Sequence, residues 1–153
     1  ISLGLVGSEM CIRDRPGLDQ FQPQNVQSGH ARPIHGVNAW VADPNDPCPE
    51  LRLDWPQAIS FTTLILELDS DWDHPMESVL MTHPEEVVPF MIRDFDVIGA
   101  DDVVLLQKRN HHGAHFTHHF KTPVTTNSLR LRVLATHGAP AAVFRVRILA
   151  AKE

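Results

Sequence analysis

The sequence predicts an all-β protein, an antiparallel β-sandwich or barrel, and three observations carry that expectation. Apolar and polar residues alternate over short stretches, as half-buried strands require. Twelve prolines and eight glycines punctuate the chain at turn spacing. No window of about eleven residues or more keeps a helical period, so the helices of a βαβ fold are not in evidence.

The elements follow in chain order. Pro16 to about Gly36 is polar and aperiodic, a linker with an irregular lead-in. The sandwich domain is expected over 37–150. Leu51, Leu53 and Trp55 alternate with Arg52 and Asp54, giving a half-buried strand. Ile59 to Leu68 is a longer strand rich in β-branched residues and leucine. Val87 to Ile98 alternates too, but its phase slips near Arg93–Asp94, as a β-bulge would cause. Val103 to Leu106 follows a Gly-Ala-Asp-Asp turn. His115 to Phe120 places Phe116 and Phe120 on one face. Leu129, Leu131 and Val133 form one later strand face, and Phe144, Val146 and Ile148 another. The total is six or seven strands, with Trp40 and Trp55 in the core. Pro75 to Met81 has room for one helical turn.

At 153 residues and 42% apolar, the chain can bury the core of one ordinary domain. Its formal charge of −6, with no Lys/Arg run longer than two, disfavours nucleic acid and anionic membranes as partners. No apolar run reaches the ~18 residues of a membrane-spanning helix. The first fifteen residues, ISLGLVGSEMCIRDR, lack the features of a signal peptide. They resemble a translated sequencing-adapter artefact, and they are set aside. On that reading the true N-terminus is missing, the chain is a fragment, and Cys48 stands alone, giving no information on compartment.

Several constellations could carry chemistry. The stretch DHPMESVLMTHPE, Asp73 to Glu85, gathers histidines, carboxylates and methionines between strands. Trp72 precedes it, flanked by Asp71 and Asp73, and could stack on a sugar or plug an interface. Met76 and Met81, with Leu80, suit a buried seam. Asp69, Asp71, Asp73 and Glu77 superficially suggest a calcium loop, but the glycine and closing glutamate of such a loop are absent. A polar loop is the simpler reading. The tract NHHGAHFTHH, Asn110 to His119, invites a metal reading. On a strand, however, His115 and His118 fall on opposite faces, and no glutamate follows before Lys121. Nucleophile-elbow, phosphate-loop and dinucleotide-binding motifs are all missing. Arg130, Arg132, Arg145 and Arg147 alternate with core residues on two strands. They form either cross-strand ion pairs or, if the strands share a sheet, one cationic docking face.

A family likeness rests on NAWVAD (Asn38 to Asp43), LRLDW (Leu51 to Trp55), ISFTTLILELD, and the stretch from Pro123 to Arg147. Together they resemble the galactose-binding-like, or discoidin-like, jelly roll. DHPMESVLMTHPE with ATHGAPAA is, more narrowly, similar to the C-terminal domain of bacterial FAD-dependent oxidoreductases. The narrower likeness implies a non-catalytic accessory domain packed on an N-terminal flavin-binding domain of the same parent chain, where FAD would reside. No cofactor or metal is expected within this fragment. Discoidin-like modules often bind glycans through loops at one end and often hold calcium. The arginines at Arg145 and Arg147 argue against calcium here.

Three functions therefore stand. The leading one is the accessory domain of a flavoenzyme, with Trp72, Asp73, His74, Met76, Glu77, Met81, His83 and His137 as interface or ligand-loop candidates. The alternative is a carbohydrate-binding module. The third is a small metal-dependent enzyme built on the histidine tract.

Overall fold

A computed structural model describes residues 20–27, 29–30, 37–68 and 91–150. Among the described residues six strands form: β1 (Trp40–Val41), β2 (Glu50–Leu68), β3 (Ile92–Ile98), β4 (Val104–Lys108), β5 (His115–Thr136) and β6 (Ala142–Leu149). They are hydrogen-bonded in the order β1-β6-β2-β5-β3-β4, and every pairing is antiparallel. The described residues contain only two short 3-10 turns, Pro23–Gln27 and Ala100–Asp102, and no α-helix.

The sequence suggests separate strands on either side of residues 55–58 and again around 121–127. The chain instead runs straight through both, so β2 is 19 residues long and β5 is 22. Their shared ladder slips once: Asp54 pairs with Ser128 and Ile59 with Thr126, so residues 55–58 face Asn127 alone. Pro56 has no N–H to give a ladder, and Pro56, Gln57 and Ala58 lie exposed. A slip of this kind bends paired strands and lets them pass from one layer of a sandwich to the other. Phe95 demonstrates the fold-over. It pairs along the backbone with Val133, late in β5, yet its ring meets the edge of Phe116, early in β5, at 5.1 Å.

One layer therefore holds β1, β6, the second half of β2 and the first half of β5. The other holds the first half of β2, the second half of β5, β3 and β4. Leu53, Leu64, Leu66, Phe95, Val97, Leu131 and Val133 fill the space between, all less than a tenth exposed. Trp40 and Trp55 are buried as expected, at 4% and 5% exposure. The expected bulge at Arg93–Asp94 is present, as register shifts on both sides of Asp94. The lead-in residues 20–27 are tied to the sandwich: Val26 is fully buried, Val41 N–H donates to the Phe21 carbonyl, and Asn25 donates to the Ala39 carbonyl.

The four arginines do not make one cationic face, because the two strands contribute them to different layers. Arg132 pairs with Glu50, and Arg130 with Asp102 and Glu50, outside one layer. Arg145 and Arg147 converge on Glu67 outside the other. Each positive charge meets a carboxylate, which is the cross-strand pairing outcome.

The connections divide between two ends. The turn Gly99–Val103 and the β2/β5 bend lie at one end. At the other, β2 finishes at Leu68, β3 is entered at Met91, and the β4–β5 and β5–β6 loops meet. Backbone bonds knit that second end together: Leu68 N–H to the Ala114 carbonyl (2.8 Å), His111 N–H to Arg93 (2.8 Å) and His137 N–H to Met91 (3.2 Å).

Candidate ligand-binding site

The second end is built around the β3 bulge. With its ladder interrupted, β3 turns its polar groups toward the β4–β5 loop instead. Asp94 Oδ1 accepts the Asn110 N–H at 2.8 Å, and the Arg93 guanidinium lies 3.1 Å from the same carboxylate. That N–H, with Arg93, holds the Asp94 carboxyl below its usual range. Asn110 takes a left-handed backbone (φ 51°), which its short amide side chain tolerates. Gly113, at φ 139°, directs its N–H onto the Met91 sulfur at 2.9 Å. Met91 thus anchors both loops, since its carbonyl accepts from His137.

Three histidines join the loops. His111 is 6% exposed, with its ring against the edges of Phe95 and Phe116. Its Nε2 lies 3.0 Å from the Gly113 carbonyl, and a carbonyl only accepts, so Nε2 carries the proton. Burial pushes this imidazole below the ordinary histidine value, and the charges of Lys108, His112 and His137 act in the same direction. His137 Nε2 donates to the His111 carbonyl at 3.0 Å, bridging the two loops. Over it, the exposed His112 ring stands 4.7 Å away, tilted by 41°. Two hairpins thereby present adjoining imidazoles at the surface. A cleft of about 480 Å³ runs beside them, between residues 42–49 and 133–141, with Asp43, Asp46, Leu134 and Thr136 in its walls. The Asp43 and Asp46 carboxylates are engaged by the N–H groups of Asn45 and Cys48.

Of the residues singled out from sequence, Trp72, Asp73, His74, Met76, Glu77, Met81 and His83 lie outside the described residues, as do Asp69 and Asp71. His137 is described, and it is the bridge between loops. The histidine tract is split by the fold. His111 and His112 belong to the loop. His115 and His119 lie on the exposed face of β5, with His119 Nδ1 3.0 Å from the Thr63 hydroxyl. His118 is turned inward beside Phe116 and Phe120. His115 and His118 thus take opposite faces, as their spacing requires. Among the described residues, no group of three or more His, Cys, Asp or Glu is placed to hold a metal. No sequence signal marked that His111 and His112 would meet His137, because that contact depends on how two separate hairpins stack.

Three solved structures share this architecture. The family 32 carbohydrate-binding module of EndoD from Streptococcus pneumoniae aligns with a TM-score of 0.69 at 12% identity, covering 97% of this chain and 96% of that one. The fold is the galactose-binding-like β-sandwich. The family 32 module of NanJ from Clostridium perfringens, solved with galactose, aligns at 0.61 with 10% identity and 85% of each chain covered. A fucose-binding module from S. pneumoniae aligns at 0.62 with 12% identity and 88% of each covered. No protein-family profile and no curated protein sequence matches the chain. The discoidin-like sandwich expected from sequence is therefore present. The structural neighbours are carbohydrate-binding modules, and they lend the flavoenzyme parent no support.

Proposed function

We propose that this chain is a non-catalytic carbohydrate-binding module that takes its sugar at the end formed by the β4–β5 and β5–β6 loops. One observation carries the reading most: nearly the whole chain superimposes on nearly the whole of a family 32 carbohydrate-binding module. The local chemistry suits it. The exposed imidazole of His112, braced by His137, offers a flat face to the C–H side of a pyranose. Arg93 and Asn110, at the same end, offer polar groups for ring hydroxyls. A rigid scaffold carrying binding groups on its loops is the usual division of labour.

The test is a glycan array followed by calorimetry on the full chain. At least one galactose-, fucose- or glucosamine-containing glycan is expected to bind. His112→Ala is expected to weaken that binding about tenfold, the loss of roughly 1.4 kcal/mol. An array with no signal above background would reject the proposal.

A second reading rests on the stretch ATHGAPAA, which forms the end of β5 and the β5–β6 loop at this same end. In this reading the loop end docks on the flavin-binding domain of a longer parent chain, with FAD held there. Independent amplification of the gene upstream of the Pro16 codon decides it. A reading frame that continues into a strand, a glycine-rich turn and a helix supports docking.

A further inference from the structure

We propose that the flank of β6 beyond β1 carries a separate binding site, for a small molecule whose apolar body ends in a carboxylate. The inference stands apart from the carbohydrate reading, since it uses none of the loop-end residues.

Among the described residues, β6 pairs with β2 along one edge from Val143 to Leu149, whereas β1 follows its other edge only at Ala142 and Val143. The lead-in packs beside the rest of that second edge. Val26 of its 3-10 turn is fully buried, and Arg145 donates to the Gly29 carbonyl, pinning the lead-in to β6. Between the two runs a cleft of about 360 Å³. Val26, Ile59, Val146, Ile148 and Leu149 give it aliphatic walls, and Arg145 and Arg147 border it. Leu149 pairs with Thr63, and Ile59 precedes Thr63 on β2, so the cleft follows the second half of β6, away from the β5–β6 loop.

The two arginines differ in what they present. Arg145 grips both Glu67 oxygens and the Gly29 carbonyl, and its side chain is 21% exposed. Arg147 reaches Glu67 only at 3.5 Å and is 44% exposed. Its guanidinium therefore offers the cleft a planar fork of N–H donors, the geometry that matches a carboxylate. Leu149, half exposed, sets aliphatic surface on the same border. A hydrocarbon body laid on these walls removes apolar area from water, and the guanidinium fixes which way round it lies. The volume falls at the lower end of small-molecule sites, so a short body fits rather than a long lipid chain. A sugar, with hydroxyls all round, would press polar groups against the aliphatic walls, so the ligand class differs from that of the loop end.

The test titrates the ¹⁵N-labelled full chain at neutral pH with octanoate and, separately, with octan-1-ol, which has the same hydrocarbon body and no charge. Saturable amide shifts at Val26, Gln27, Gly29 and Arg145–Leu149 are expected, with octanoate bound at least about fivefold more tightly than the alcohol. Arg147→Gln leaves the Glu67–Arg145 pair in place. It is expected to remove that difference, weakening octanoate about fivefold and leaving the alcohol unchanged. Leu149→Ser, at a half-exposed position, is expected to weaken both probes. Octanoate binding that is unchanged by Arg147→Gln overturns the proposal. So does the absence of saturable shifts, shifts centred away from the cleft, or equal affinity for acid and alcohol in the unmodified chain, and these three outcomes need no variant to fold. Since no sugar is present, a failure here is separate from a failure of glycan binding.

Discussion

Glu67 occupies an unusual position for a carboxylate. Its side chain is 6% exposed, on the outer face of a layer, with the guanidinium of Arg145 bonded to both of its oxygens and Arg147 at 3.5 Å. The Arg145 hydrogen bond, opposed by burial, holds the carboxyl below its ordinary value of 4.5. A carboxyl lowered by folding stabilises the native state fully above the unfolded value, and that contribution fades as the pH drops through the folded one. Stability is therefore expected to decline below about pH 4.5. Arg145 also donates to the Gly29 carbonyl, so the pair fastens the lead-in to β6. Glu67→Gln leaves Arg145 half-paired and is expected to cost about 2 kcal/mol, a value discounted for the partial exposure of the arginine. Thermal unfolding checks this, with a Tm fall of roughly 4–8 °C expected. His111 follows the same sign, at a higher pH. Its imidazole is lowered by burial, so its stabilising effect is complete above the ordinary value of 6.5 and is lost progressively below it. His111→Gln is expected to flatten the pH dependence of stability between about 6.5 and 5, measured by denaturant melts at each pH.

The two long strands are the elements on which the sandwich depends, because each belongs to both layers. Phe95 sits where they fold over one another, fully buried and edge-on to Phe116. Phe95→Ala opens a cavity that rigid strands on both sides cannot fill. It is expected to cost about 3–5 kcal/mol, with a Tm fall of about 10 °C or more. Much of this level was legible in the sequence. The alternation around Leu53 and Leu131 marked core faces, and the phase slip at Arg93–Asp94 marked the bulge. Strand continuity was not legible. Pro56 and the exposed residues after it read as a break, whereas the backbone stays extended and only the pairing lapses. The arginines show the same limit. Alternation placed Arg130, Arg132, Arg145 and Arg147 on outer faces, but only the crossing of β2 and β5 decides that those faces point apart.

At the scale of the whole molecule, the all-β class and the discoidin-like sandwich followed from turn spacing, alternation and a few stretches of sequence. The candidate site was only partly accessible. His137 was picked out, and His111 and His112 were noted within the histidine tract, but their meeting was not foreseen, because loops are brought together by the layers beneath them and carry no periodic signal of their own. The carbohydrate reading gained ground through architecture rather than motif. The most direct test of that reading is to map where a sugar binds. A ¹⁵N-labelled full chain would be titrated with galactose, and with the glycan giving the strongest array signal, while amide shifts are followed. Saturable shifts centred on Asn110–Gly113 and His137–Ala139 are the expected result. Shifts confined to the opposite end near Gly99–Val103, or none with any glycan, would contradict the account.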